Sequence, residues 1–513
     1  MSNLLTAAHP IAWIAAISLL VTVAILRARR YLLRYRFKKQ HGCQAPQSAV
    51  WTKDILLGLD GMWESFQAIR NHHMLELFQR RFAERGDTWV AASLLRRKLF
   101  TIDPENLRSM LSTNVNDWFL DRDEATWRFI GPGVFTTDGA AWSHSRALLR
   151  PNFVQDKIAH LDMFERHFQN FLTHIPHDGA TVDLQPLFFQ FTIDAATEFL
   201  FGKSTSSLKP GADRTYYEAN FDQAWATAAD HCRWQIAAAP FKFREGAEVK
   251  RAVDLIHAYA DKFVHQILKE RRESEKTRRN GGSEKRDTSN GRYSFAQELA
   301  KSTDDALQIR HELLNIFAAG RDTTASMLSN MFVELAKRPD VWAKLQSEIA
   351  VLNGAPPTLE QMRSFRYVHY CMNESLRLWH VVPLNYRKAF RDTYLPRGGG
   401  SDGQSPIFMP KGTTVTYSSF AMHRRKAAFG EDADTFRPER WEGWNPSCAF
   451  QPFGIGQRIC LGQKYALNEV GYLMIRILQE FKKIESRQPL PWTETSGLVL
   501  SSLHGTKVSL TPA

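Results

Sequence analysis

From Leu4 to Leu26 the chain carries no charged side chain, and from Ile11 onward the run is almost wholly apolar. A helix needs about 20 such residues to cross the hydrocarbon core of a bilayer, so this stretch predicts one membrane-spanning helix. The next stretch is its opposite: between Arg27 and Lys39 stand seven basic residues, and no Asp or Glu occurs anywhere in residues 1–53. Those 53 residues carry +8 of the chain's net +12, which leaves the remainder close to balanced. A basic cluster directly after an apolar span stays on the cytosolic side and can touch anionic headgroups. A cleaved signal peptide would carry its bases before the apolar run and a small-residue cleavage site after it. A nucleic-acid partner would require the charge on the body of the protein, so none is expected.

The expected organisation is therefore an anchor (1–26), a basic stop-transfer segment with a hinge around His41–Ser48 (27–48), and a catalytic body (49–513). The body is 513 residues less this leader, with 43% hydrophobic content over the whole chain, enough for a sizeable core. To about residue 268 it reads as mostly helical, with turns such as Ile130-Gly131-Pro132-Gly133. Glu270 to Arg292 is charged and reads as an exposed loop. The longest helical pattern starts near Ser302-Thr303-Asp304-Asp305, where Ser or Thr can cap it, and stops at Pro339. It is apolar on nearly all sides from Leu313 to Phe332, as a core helix would be. Tyr394 to Phe420, with Gly398-Gly399-Gly400 and the alternating Thr413–Tyr417, reads as a hairpin. A last helix is expected from Leu461 to about Phe481. The fold class is mainly α with a small β portion.

The five cysteines are scattered, with no CxxC pair and no zinc spacing, so neither a disulfide framework nor a zinc site is expected. One of them stands apart. Cys460 sits at a predicted helix start behind a glycine-rich approach, where free N–H groups and the positive helix end favour a thiolate. Gly454, Gly456 and Gly462 let the backbone approach something flat or bulky, and Arg458 can pair with an anionic group of the same ligand. A soft thiolate so presented suits a haem iron, with carboxylate arms for the arginine to neutralise. The bland alternative is a small core residue.

Phe453-Gly454-Ile455-Gly456-Gln457-Arg458-Ile459-Cys460-Leu461-Gly462 is similar, position for position, to the haem-binding signature of the cytochrome P450 family, Phe-x-x-Gly-x-Arg-x-Cys-x-Gly. Three further motifs stand upstream in the family's order. Glu374-Ser375-Leu376-Arg377 resembles its Glu-x-x-Arg, and residues at i and i+3 share a helix face. Phe436-Arg437-Pro438-Glu439-Arg440-Trp441 resembles the segment whose arginine, here Arg440, joins Glu374 and Arg377 in a buried triad. Ala319-Gly320-Arg321-Asp322-Thr323-Thr324 falls mid-way along the long helix. Its residues alone leave two readings open: a threonine bonded back to the carbonyl four residues earlier, or a proton-delivery site. The resemblance implies the second, with Gly320 leaving room for dioxygen, Thr323 hydrogen-bonding it and Asp322 relaying protons.

The resemblance further implies haem b with Cys460 as axial ligand, Phe453 and Arg458 beside it, and propionates held by Trp142 and Arg146 (Trp142-Ser143-His144-Ser145-Arg146) and by Arg387. His144 is expected at the surface or behind the site, not on the iron. His380 stands where the family usually has Pro, which affects the local turn. The implied fold is a long central helix over the haem with a small β-sheet subdomain, preceded by one transmembrane helix. Gly398 to Trp441 and Phe135–Gly139 leading into Arg150-Pro151 resemble the fungal alkane and fatty-acid hydroxylase branch. That implies a membrane-bound monooxygenase of the endoplasmic reticulum, its catalytic body in the cytosol, which hydroxylates a hydrophobic chain at or near its end. The chain holds no flavin or nicotinamide fingerprint, so electrons from NADPH would come through a separate cytochrome P450 reductase, docked with help from Lys464 and Arg424-Arg425-Lys426. Substrate-lining candidates are Phe119–Gly133, Phe317 with Ala318, Val381–Pro383 and Leu500–Leu503. The alternatives are an aromatic or terpenoid substrate, an isomerase or dehydratase, and a non-enzymatic haem sensor.

Overall fold

The computed structural model describes residues 3–50, 54, 58–93, 96–122, 124–154, 160–237, 244–279, 294–444, 448–496 and 499–513. Its first element, α1 (Asn3–Gln40), is one unbroken helix through both the apolar run and the basic cluster. From Ala12 to Gln40 it is long and apolar enough to cross a membrane, with none of its apolar window buried in the protein. The change at Arg27 is one of side chains only; no break in the backbone accompanies it.

The hinge differs from expectation because its backbone finds partners. Strands β7 (Thr393–Gly399) and β8 (Ser405–Met409) pair antiparallel, and residues 44–47 lie along them. Gln44 N donates to Pro406 O at 2.8 Å, Gln47 N to Gly398 O at 2.8 Å, and Gly400 N to Ala45 O at 2.9 Å. The end of α1 docks on the same hairpin: Arg34 makes a bidentate pair with Asp392 at 2.9 and 3.0 Å, and the His41 ring stacks on Tyr394 at 4.6 Å.

The other principal helices are α2 (Leu59–Arg70), α3 (Met74–Arg85), α4 (Gly139–Leu149), α5 (Leu184–Phe201), α6 (Tyr216–Ala237), α7 (Ala247–Arg279), α8 (Ala306–Leu335), α9 (Arg366–Leu378) and α10 (Gln463–Glu480). α8 is the spine. Asp305 caps it, accepting from the N–H of Leu307 at 2.9 Å and Gln308 at 3.2 Å, so an aspartate does what Ser or Thr was expected to do. It packs against α5, α7, α9 and α10. Its Phe317 meets Trp225 and Phe221 of α6 edge-on, with centroids at 4.5 and 5.2 Å. Phe317 is therefore core, fully buried, and not a lining residue as expected. α7 continues to Arg279, so the first half of the expected 270–292 loop is helix, sustained by pairs such as Arg271–Glu275 at 3.0 Å; residues 280–292 lie outside the described residues.

The β portion is more extensive than its local signals. A six-stranded sheet runs in the order β1-β2-β3-β9-β6-β4, using β1 (Ser48–Val50), β2 (Thr88–Ser93), β3 (Arg96–Thr101), β4 (Trp118–Phe119), β6 (Leu384–Ala389) and β9 (Thr414–Ser418), while β5 (Val182–Asp183) pairs apart from it with the strand Lys507–Pro512. The alternating run at Thr414 is thus not the return arm of the glycine-rich hairpin. It pairs parallel with β3, Leu99 opposite Val415, and antiparallel with β6. The hairpin itself closes earlier, β7 on β8. The β2–β3 hairpin falls in a region that reads as helical.

Candidate functional site

Cys460 lies three residues before α10 and ends a tight loop. Its N–H donates to Phe453 O at 3.0 Å, and Ile459 N to Gly456 O at 3.2 Å. Gly456 has φ +72°, and a Cβ there would stand 2.1 Å from the Leu111 carbonyl, so only glycine lets the loop pack on the Ser109–Thr113 turn. Cys460 is exposed, yet protein atoms crowd around its thiol. Burial pushes its thiol up. The N–H groups of Gly462 and Gln463 and the Arg146 charge pull the other way without prevailing.

Around this loop gathers an excess of positive charge. Arg458 pairs with Asp138 at 2.6 Å, also donates to Thr137 O at 3.2 Å, and stands 4.4 Å over the Trp142 ring. Burial and the neighbouring Arg387, Arg122 and Arg146 push it down to about 10, against Asp138. Arg387 is buried on β6 and, among the described residues, bonds only neutral groups, Tyr386 O at 2.7 Å and Asn385 Oδ1 at 3.3 Å. Arg146 and Trp142 share one face of α4, the guanidinium 5.8 Å over the ring. Arg122 was not anticipated from sequence: its Nε is buried without a partner among the described residues, beside Tyr386. A lone arginine in a loop carries no spacing signal that could have marked it. Four guanidinium groups against one carboxylate are costly unless an anion joins them. A haem, with two propionate arms, fits that cluster as well as it fits the open side of Cys460.

The middle of α8 forms another wall. Helix residues on either side are buried, but Ala318, Ala319, Gly320, Asp322 and Thr323 are only half-buried, and a Cβ on Gly320 would meet nothing within 4 Å. Thr323 Oγ1 donates to Ala319 O at 2.6 Å, which is the back-bonded arrangement; its lone pairs remain available to accept. Asp322 pairs with Arg321, and Arg321 in turn with Asp222 of α6, a residue about half exposed. Thr324 bonds Glu469 of α10, whose carboxyl burial raises strongly. Glu312, one face of α8 nearer its start, is buried against Ser145 of α4 and pushed up to about 7 by that burial. His144 points away to Gln308, at 3.0 Å.

Behind the cysteine loop, Glu374, Arg377 and Arg440 meet. Arg377 donates Nε to Glu374 Oε2 at 2.9 Å and Nη2 to Oε1 at 2.8 Å, both side chains fully buried. Arg440 Nε reaches Oε1 at 3.3 Å, and Trp441 Nε1 and the Arg437 N–H complete the carboxylate's shell at 3.0 and 2.9 Å. Arg377 also donates to the carbonyls of His423 and Thr435 at 3.0 and 3.1 Å, so the group ties α9 to the segment before the cysteine loop. Arg424, expected at a docking surface, is instead buried, stacked 3.6 Å over Phe420 and pushed down to about 9 by burial. Its neighbours Arg425 and Lys426 are already paired, with Asp87 and Glu431.

His380 shapes its turn as an acceptor: Nδ1 takes the Val382 N–H at 3.1 Å, and the ring lies 5.1 Å from that of His423. Burial holds it down to about 4. A folded value below the ordinary 6.5 means stability is intact above pH 6.5 and is lost as pH falls toward 4, because the unfolded chain binds the proton first. Relative to His380→Gln, the wild type should lose about 3 kcal/mol more between those limits, by denaturant titration. Glu312 titrates with the opposite sign, so the difference between the two proteins is the quantity to measure.

A long buried helix whose middle is left open, together with a cysteine loop around which arginines gather, supplies the parts of a haem-thiolate protein. Comparison with known proteins agrees. The family model for cytochrome P450 matches residues 59–507. Cytochrome P450 monooxygenase himC of Aspergillus japonicus is 43% identical over 96% of this chain and 88% of its own length. Cytochrome P450 monooxygenase fsdH of Fusarium heterosporum is 41% identical over 96% and 89%, and cytochrome P450 52A13 of Debaryomyces hansenii 36% over 99% and 100%. The chain belongs to the cytochrome P450 family. It is a monooxygenase whose cofactor is haem, held by a cysteine thiolate.

Proposed function

We propose that this protein hydroxylates an n-alkane or fatty acid at or near its end, anchored by α1 in the endoplasmic reticulum membrane with residues 49–513 in the cytosol. The observation that carries the chemistry is the open side of Cys460, the one cysteine of the chain that is exposed while surrounded by protein. The substrate class rests on the resemblance of Gly398–Trp441 and Phe135–Pro151 to the alkane and fatty-acid hydroxylase branch.

Haem, once bound, supplies the activation of dioxygen. The chain's residues do the rest. Cys460 would hold the haem iron through its thiolate, with Phe453 closing the loop behind it. Trp142, Arg146, Arg387 and Arg458 would hold the two propionates. Thr323, its own proton committed to Ala319, accepts a hydrogen bond in the cleft, and Asp322 relays protons from the side that Arg321 and Asp222 open to solvent. Glu374, Arg377 and Arg440 keep the cysteine loop in place. A separate NADPH–cytochrome P450 reductase delivers both electrons, and Lys464, exposed at the first turn of α10, belongs to its docking face. End-hydroxylation attacks the strongest C–H bonds of the chain, so it needs the methyl group held in position.

Spectral titration tests the substrate. Dodecane and lauric acid should each shift the ferric spin state with saturable dependence, and aromatic or terpenoid ligands should not. A shift confined to the aromatic or terpenoid set would move the substrate to the rival class.

A further inference from the structure

Residues 130–138 form a strap, hydrogen-bonded at one end to α8 and at the other to the cysteine loop. The first end sits on Asn315, which is fully buried. Its amide donates to Ile130 O at 3.1 Å and Gly131 O at 3.4 Å, as well as to His311 O within α8 at 2.8 Å, and its Oδ1 accepts from the Phe135 N–H at 3.0 Å. Glu312, 1% exposed, accepts from the Val134 N–H and from the Ser145 hydroxyl, so the strap is also joined to α4, the helix of Trp142 and Arg146. The fit against α8 leaves no slack. A Cβ on Gly131 would stand 2.1 Å from the His311 ring, and one on Gly133 would stand 2.5 Å from the Asn315 amide. Two threonines stiffen the middle: Thr136 Oγ1 donates to Gly131 O and accepts from the Gly133 N–H, both at 2.8 Å, and Thr137 Oγ1 donates to Gly133 O at 2.7 Å. The far end meets Arg458, two residues before Cys460, through Thr137 O at 3.2 Å and the Asp138 carboxylate at 2.6 Å. That carboxylate is held from behind by the N–H groups of Leu120 and Asp121, at 3.0 and 3.1 Å.

We propose that Asn315 is a positioning residue for the cofactor site: through residues 130–138 it fixes where Asp138 stands, and so how much of the Arg458 guanidinium is left for a propionate. The inference rests on the reading of Arg458 as a propionate partner. Asn315 stands eight residues before Thr323, about 12 Å along the helix, and acts through backbone groups of the strap. Without its amide the carbonyls of Ile130 and Gly131 and the N–H of Phe135 lose a buried partner, which strains the strap at the end opposite Arg458. Asn330, farther along α8, supplies the contrast. It is equally buried, donates to Leu500 O at 2.8 Å and accepts from Trp492 Nε1 at 3.1 Å, and among the described residues it makes no bond to the strap.

Four variants of the full-length, haem-loaded protein test this, each read by its ferric–ferrous midpoint potential and by the rate at which haem passes to apomyoglobin. Asn315→Ala should release haem roughly tenfold faster, the scale of one buried hydrogen bond lost, and should shift the potential upward, because a carboxylate has moved away from Arg458. Gly133→Ala should move both readouts the same way: Gly133 lies outside the left-handed region, so the new methyl strains nothing but the contact with the Asn315 amide. It carries the test by itself should Asn315→Ala not accumulate. Asn330→Ala should lower the melting temperature and leave both readouts near wild type. Arg458→Ala should speed haem loss and shift the potential downward, since it removes positive charge. If Arg458→Ala moves both readouts while Asn315→Ala and Gly133→Ala move neither, the proposal is overturned and Arg458 keeps its place. No response to Arg458→Ala overturns the reading beneath the proposal as well. An Asn330→Ala protein that matches Asn315→Ala in both readouts reduces Asn315 to a residue that holds the fold, and also overturns the proposal.

Discussion

Cys460→Ser is expected to leave a folded protein that does not hydroxylate anything. The sulfur's neighbours are the N–H groups of Gly462 and Gln463, which a serine oxygen can satisfy, and the loop closes through backbone bonds that the substitution does not touch. Far-ultraviolet circular dichroism and the melting transition should therefore stay near wild type. NADPH-supported turnover should fall by more than about a thousandfold, equivalent to at least about 4 kcal/mol of barrier, because an alkoxide or alcohol cannot replace the electron-donating thiolate. Substantial remaining turnover, with haem bound, would remove Cys460 from its assigned place.

Arg377→Ala is expected to do the reverse, destroying the protein before chemistry can be measured. It strips the fork from a fully buried Glu374 carboxylate and leaves the carbonyls of His423 and Thr435 without their donor. Removing one partner of a buried pair costs about 3–5 kcal/mol, a large share of the roughly 5–15 kcal/mol that holds a typical fold. Haem-loaded protein should fail to accumulate on expression. Arg377→Lys keeps the charge but loses the planar fork, and should recover only part of it. Lys426→Ala breaks an exposed pair with Glu431 and should change stability by less than about 0.5 kcal/mol. Comparable yields of Arg377→Ala and Lys426→Ala would show that the buried cluster does not hold the fold.

What was legible in the sequence tracked the range of the interactions. The cysteine loop was readable because its parts are contiguous: glycine, arginine and cysteine within one decapeptide. α1, α8 and α10 were readable because apolar periodicity is local. β9 was not, since its partner β3 lies more than 300 residues earlier, and nothing in Thr414–Ser418 says which strand it joins. The β2–β3 hairpin is hidden for a related reason; the consecutive bases Arg96, Arg97 and Lys98 do not alternate as a half-buried strand should. The expected loop at Glu270 gives way to helix because a helix held by Arg271–Glu275 and similar pairs looks, in composition, like a solvated coil. In the site, Glu374 and Arg377 were visible as an i, i+3 pair, whereas the encirclement of their carboxylate by Arg440, Trp441 and Arg437 N–H exists only after folding. Arg122 and Asp138 lie inside segments the sequence singled out, Phe119–Gly133 and Phe135–Gly139, but nothing marked them as partners of Arg458, more than 300 positions away.

Arg424 shows the same limit from the other side. A run of three cations reads as a surface patch, yet its first member is buried under aromatic rings, because a cation–π stack can replace solvent around one guanidinium. The sequence run therefore overstates the charge that a reductase would meet there.

The central claim is that Cys460 holds haem iron as a thiolate. The most direct measurement is the absorption difference on adding carbon monoxide to the dithionite-reduced, full-length protein, with Cys460→Ser alongside. The wild type should show the strongly red-shifted Soret band of a thiolate-ligated haem, and the variant should lack it while still binding carbon monoxide at shorter wavelength. A wild-type spectrum without that band, in protein that carries haem, or a Cys460→Ser spectrum that retains it, would contradict the account.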